Sequence, residues 1–299
     1  MAARSMKRTV RRAVRRTVGL LAALLALTSC GDGGEGGRET MVVSELTFGA
    51  RTGEEVDGRD VSHGIDLDGR VSDRSDAEAC NRADFVAPDG REGIDNQFTF
   101  LVEAINDVFQ AGTVDGIIQG TINEGRLLLM IDVQGIDDPM NDGDVTVRLF
   151  LGEGRPDLSG EDRIVPNQTF DLKEEAEVAT FPGRITDGVL EAGPFTTEIP
   201  VAVFNVFFDL KLHDAQLVAE RDEDGTWSGI VGGGVATDQI MNVAMMADAM
   251  QGEQISPALR ALLPRWVDMG KGEDGRCTQL SAALLFESQP AFVYPDVEL

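Results

Sequence analysis

Histidine, tyrosine and tryptophan are nearly missing from this chain of 299 residues, which has two, one and two of them. Two histidines, His63 and His213, exclude a multi-histidine zinc site and confine imidazole catalysis to two positions. With Phe supplying fourteen of the aromatic residues, little is left for the stacking platforms of a sugar site. Basic residues are also scarce, 26 Lys+Arg against 52 Asp+Glu, and seven of the 26 fall in residues 1–29, which hold no acid. The other 270 residues therefore set 19 basic groups against 52 acidic ones, a formal net charge of −33. A surface this negative repels phosphate backbones, so nucleic-acid binding is excluded, and cations or basic protein or envelope partners remain. No Gly-x-Ser-x-Gly elbow occurs, and Gly232-Gly233-Gly234 lacks the Lys and Ser/Thr of a phosphate loop, so it reads as close packing or a bulge. What is abundant is apolar material, 42% of the chain, enough for a sizeable core.

The first thirty residues fall into three zones: a basic stretch over 1–16, ten apolar residues over 18–27, then Thr28, Ser29 and Cys30. Ten apolar residues are too few to cross a bilayer as a helix but fit the hydrophobic region of an export signal. Leu27-Thr28-Ser29-Cys30 resembles the lipobox of a bacterial lipoprotein precursor. The resemblance implies removal of residues 1–29 and acylation of Cys30 by chains such as palmitate. Two or more chains hold a protein stably on a membrane. Gly31, rather than Asp, follows the cysteine, which resembles cargo sent to an outer membrane, so the expected location is the cell envelope, lipid-anchored. Residues 30–40, with five glycines, read as a flexible tether, and no later apolar stretch reaches membrane-spanning length.

With Cys30 acylated, Cys80 and Cys277 remain, and in an oxidising compartment the pair reads as a disulfide, the alternative being two buried thiols. A bridge would fasten the N-terminal part of the body to its C-terminal strands and favours one domain over 41–299.

Within that domain a strand is expected over 41–48, and then residues 54–95 hold thirteen acids against five arginines without a period of 2 or 3.6, an irregular segment. Phe98, Leu101, Val102, Ile105, Val108 and Phe109 recur at helical spacing after Asp95 or Asn96 as a cap. Period-2 patterns follow in Leu127, Leu129, Ile131 and Val133, and in Val145, Val147, Leu149 and Leu151. Further strands are expected over 183–192 and 196–203. Val206, Phe208, Leu210 and Leu212 alternate up to a break at His213-Asp214, and a hairpin follows over 216–231. A helix capped by Thr237 or Asp238, a short one from Ser256 and Pro257, and strands over 280–286 and 291–294 complete the chain. The fold class is mainly β, an antiparallel sandwich or barrel-like sheet with two or three packed helices, with α+β as the alternative.

The densest candidate site is Asp66, Asp68, Asp84, Asp89, Asp95 and Asn96. Calcium takes six to eight oxygen ligands of these types, and interleaved glycines allow the turns that gather them, so a structural Ca2+ ion would order a segment lacking its own core. It is not an EF-hand: with Asp66 and Asp68 at loop positions 3 and 5, Gly64 and Ser75 stand where carboxylates are required. The competing reading makes the Asp-Gly pairs turn residues and the acids a solvated face. The acidic turn over 137–144 poses the same choice. Ser159 and Ser228 read as turn or strand residues rather than nucleophiles, and the Met-rich stretch 241–250 as core or as one wall of an apolar groove. The functional expectation is an acidic, lipid-anchored binding or structural module, with a carrier of an apolar ligand or lipid, or an extracytoplasmic hydrolase, as alternatives. Whether it is an enzyme is left open.

Overall fold

The computed structural model describes residues 36–108, 112–174, 177–203, 206–222, 225–251 and 255–294. Cys30, the signal region and the first part of the tether lie outside the described residues. The chain runs through β1 (Gly37–Phe48), β2 (Arg51–Val56), β3 (Arg59–Ser62), α1 (Phe98–Val108), α2 (Thr113–Asn123), β4 (Leu128–Ile136), β5 (Asn141–Glu153), β6 (Gln168–Leu172), β7 (Ala179–Thr186) and β8 (Val189–Val203). It continues through β9 (Val206–Arg221), β10 (Trp227–Ala236), α3 (Thr237–Gln251), α4 (Ile255–Leu262), β11 (Met269–Lys271) and β12 (Cys277–Tyr294).

The pairings β1–β4–β5–β7–β8–β9–β10–β12 return to β1, and every one is antiparallel. The sheet is therefore an eight-stranded closed barrel, the ring continuous through these pairings although not along the full length of every strand. Sandwich and barrel give the same alternation of apolar and polar residues, so the closing β1–β12 pair is what separates them. Phe181 and Ile185 on β7 and Leu190, Ile199 and Val201 on β8 point inward and are buried, while Thr180, Arg184, Thr186 and Glu198 between them are exposed. Register carries this inner face to Val147 and Leu149, Val133 and Ile131, and on to Met41. An apolar interior with a polar exterior is the reverse of a barrel embedded in lipid. No helix among the described residues is long and apolar enough to cross a membrane.

Several expectations are corrected. β1 starts at Gly37, so residues 37–40 of the expected tether are strand, paired with β4. The acidic segment opens with a hairpin, β2–β3, before becoming irregular. The expected strand over 183–192 contains the β7–β8 turn, where Asp187 and Gly188 take positive φ, and 196–203 belongs to β8. The break at His213-Asp214 is a bulge in a continuous β9: register shifts between Gly232 and Gly234, and Asp214 takes φ 49°. The last two expected strands are one, β12. The short helix expected with Ser256 as cap and Pro257 as first residue begins at Ile255, and the hairpin tip at residues 223–224 lies outside the described residues. There are four helices among the described residues rather than two or three.

α2 is the helix that the alternation-based reading missed. Val114, Ile118, Thr121 and Ile122 lie on one face and are buried, and Gly125 (φ 75°) ends it by donating to the Ile122 carbonyl. β4 reaches along β1 only from Gly37 to Val42. Beyond that, α2 takes over the edge: Asp115 Oδ1 accepts from the Phe48 N–H at 3.4 Å, and Gln119 Nε2 donates to the Ser44 carbonyl at 2.9 Å. It also packs on β8, so the helix lies between two strands, β1 and β8, that do not pair with each other.

On the outside of β4–β5, Asp132 is wholly buried and accepts from Arg38 Nε (2.7 Å), Thr40 Oγ1 (2.6 Å) and Gln134 Nε2 (2.7 Å), with Arg148 Nη1 at 3.5 Å. At the end of the barrel where β1 begins, Trp227 Nε1 donates to Glu39 (2.8 Å), which also pairs with Arg221 (2.9 Å).

Candidate functional site

The acidic segment lies against the outer face of β10 and β12. Ile65 rests on Gly232, where a Cβ would come within 2.9 Å of Ile65 Cγ1. Of the two readings of the triple glycine, close packing is what it does here, and the bulge opposite it belongs to β9. Asn96 fastens the segment: its buried Nδ2 donates to the carbonyls of Gly49 and His63 (both 2.9 Å) and to Ser62 Oγ (3.1 Å). Gln97 N–H donates to Ser281 Oγ on β12 (2.8 Å), and Asp95 N–H to the Ile65 carbonyl (3.0 Å). The expected disulfide is formed, Cys80 to Cys277, with Cα atoms 6.2 Å apart, tying the segment to the first residue of β12.

These anchors converge three carboxylates. One oxygen from each of Asp66, Asp68 and Asp95 lies within 4.8 Å of the others. The 66–70 turn is made by the acids themselves: Asp66 Oδ1 accepts from Gly69 N–H (2.7 Å) and Asp68 Oδ1 from Arg70 N–H (3.0 Å). Asp95 Oδ2 accepts from Leu67 N–H at 2.8 Å. Gly93, at φ 78°, lets the stretch carrying Asp95 approach this turn, since a Cβ there would stand 2.4 Å from the Arg70 carbonyl oxygen.

Two more buried carboxylates complete the group electrostatically. Asp84 accepts from Ser72 N–H, and Asp268 accepts from both the N–H and the hydroxyl of Ser281. Burial, and then repulsion from Asp268, push the Asp95 carboxyl up to about 9. Burial raises Asp268 to about 7 against the opposing Ser281 hydrogen bonds, and Asp84 to about 6. Asp68 is raised by burial and by Asp66. The causes agree: carboxylates placed together under partial cover disfavour their own ionisation unless a proton or a cation compensates them.

Of the six candidates, Asp66, Asp68 and Asp95 meet directly and Asp84 joins their field. Asp89 does not: it is exposed and bonded to Arg91 (2.8 Å). Asn96 is drawn inward as the clamp described above, its amide committed to three protein oxygens. Asp268 escaped sequence reasoning because it stands 173 residues from Asp95 in the chain and only the docking of the segment on β12 brings it near. In the acidic turn over 137–144, Asp142 accepts from the N–H groups of Asp137 and Asp144, which is turn chemistry. Ser159 Oγ likewise accepts from Glu161 and Arg163 within a loop, and Ser228 lies in β10. His63 Nδ1 sits 3.2 Å from the Ala50 carbonyl and His213 at the β9 bulge.

The Met-rich helix α3 is part core and part surface. Ile240, Val243 and Ala244 meet Phe98, Leu101 and Leu259 around a cavity of about 70 Å³, while Met245, Met246 and Met250 are exposed. Comparisons with protein-family models, with curated proteins and with solved structures find no match to this chain.

Proposed function

We propose that this protein is an exported, lipid-anchored module of the cell envelope whose acidic face is organised by a bound calcium ion. Asp66, Asp68 and Asp95 would be its carboxylate ligands, with Asp84 and Asp268 adding negative charge around it. The observation that carries the reading is the meeting of three carboxylates from two separate turns within 4.8 Å, beside two further buried acids. Hard oxygen donors of this kind suit Ca2+, with backbone carbonyls and water completing six to eight ligands. An ion there would do for the irregular 63–97 segment what a core does for the barrel, joining turns that otherwise repel. The lipobox over 27–30 supports the anchored location, and the Cys80–Cys277 bridge fits an oxidising compartment.

The test is calcium titration of the purified protein by calorimetry after chelation. The expected result is one saturable site per chain, lost in Asp95→Asn. Absence of binding, with melting unchanged between chelator and calcium, sinks the metal reading.

A further inference from the structure

The barrel wall has a lateral opening. β7 pairs with β8 only between 183–186 and 189–192. The pairing stops at Gly193-Pro194, where proline has no N–H to give and the β8–β9 register shifts between Ala192 and Phe195. From Phe195 to Val203, β8 pairs with β9 alone among the described residues. Between this free edge and the top of β5 lies a cleft of about 440 Å³, within the range of small-molecule sites.

Its floor is Leu129, Leu149 and Leu151, alternate positions of β4 and β5 that face the barrel interior. Its rim carries Glu174, Glu177, Glu198 and Asp209. Lys211 Nζ bonds Glu198 at 3.1 Å, and Lys173 lines the same cleft, so about two negative charges stay uncompensated. The cleft also holds Thr197, which is only 8% exposed and whose hydroxyl has no hydrogen-bond partner among the described residues. Thr197 occupies an inward position of β8, opposite Leu212.

We infer that the cleft is a binding site for a small aliphatic amine. An ammonium group has three donors and no acceptor. Thr197 Oγ1 and two rim carboxylates can receive them, while the alkyl part covers the leucine floor. The site is independent of the calcium reading: its residues come from β4, β5, the β6–β7 connection and β7 to β9, and none belongs to the acidic cluster docked on β10 and β12.

Calorimetric titration of the full chain with octylammonium, octanoate and 1-octanol, compounds of matched length, tests this. Octylammonium is expected to saturate one site per chain and octanoate to give no binding. Octanol, lacking the charge, is expected to bind about tenfold or more weakly, as charge-assisted hydrogen bonds imply. The pair Glu177→Gln and Asp209→Asn should weaken octylammonium about tenfold. The isosteric Thr197→Val should weaken it several-fold with melting unchanged, and the pair Glu54→Gln and Glu55→Gln, on the remote β2 strand, should have no effect. Equal weakening by both acid pairs, or binding without saturation, would mean diffuse attraction to an acidic surface and would overturn the proposal. So would octanoate binding as well as octylammonium, or Thr197→Val leaving the affinity untouched.

Discussion

Replacing Asp95 by Asn changes one proton and almost no volume, and its effect can be worked from the structure. Without metal, burial and Asp268 hold the Asp95 carboxyl near 9, against an ordinary 3.8. Between those values the folded chain keeps a proton that the unfolded chain has released, so stability falls as pH rises, by about 1.4 kcal/mol per pH unit for one proton. From about pH 5 to about pH 8, Asp95 alone accounts for a loss of about 4 kcal/mol. Asp84 and Asp268, raised to about 6 and about 7, steepen the acidic half of that window. Hydrogen-bonded Asp73, Asp76, Asp142 and Asp248 are lowered, so the stability they add is lost only as pH falls below the ordinary 3.8 and does not mask the slope. At about 2–4 °C per kcal/mol, the wild-type melting temperature in chelator should fall by more than about 10 °C across the window, and Asp95→Asn should remove about half of that fall. Saturating calcium should flatten the wild-type profile, because the ion favours the ionised carboxylates, and leave Asp95→Asn unchanged. The assay is circular-dichroism melting at stepped pH, with chelator and with calcium. Parallel profiles for wild type and Asp95→Asn in chelator would refute the assignment of a buried, proton-holding carboxyl at this position.

Four other outcomes follow from the same structure. Reducing the Cys80–Cys277 bridge, which spans 197 residues, should cost up to about 5 kcal/mol by the chain-entropy account and show as a lower urea midpoint under reductant. Asp132→Ala removes the counter-ion of buried Arg148 and should destabilise by about 3–5 kcal/mol in urea unfolding, with Asp132→Asn milder. Gly93→Ala forces a Cβ against the Arg70 carbonyl at positive φ; it should cost more than about 1 kcal/mol and weaken calcium binding in calorimetry. Cys30→Ala should move the protein from the membrane to the soluble fraction and abolish acyl mass in mass spectrometry of the native product.

The strands of this barrel were legible wherever one face meets water. Phe208 to Leu212 alternate because Asp209 and Lys211 between them face outward and need not be apolar, whereas in Val145 to Leu151 the outward Arg148 and Phe150 are themselves buried. β6 escaped notice because it lies outside the ring, bridging β5 and β12, and is only five residues long. α2 was hidden by Gly116 and Gly120, which dilute its pattern, although Val114, Ile118 and Ile122 keep the four-residue spacing. In the acidic segment, composition marked the right region and the right Asp66, Asp68, Asp84 and Asp95. It could not separate them from Asp89, whose neighbour Arg91 neutralises it, nor add Asp268, because both distinctions depend on how the segment docks on β12. Ring closure is likewise a long-range fact: Leu46 meets Phe286 across almost the whole chain.

The most direct test of the central claim is the calcium content and calcium affinity of the purified wild-type protein at neutral pH, measured by elemental analysis and calorimetry beside Asp95→Asn. The account expects one calcium per wild-type chain, released by chelator with a fall in melting temperature, and none in the variant. A wild-type protein that holds no calcium, takes none up and melts identically with and without chelator contradicts it.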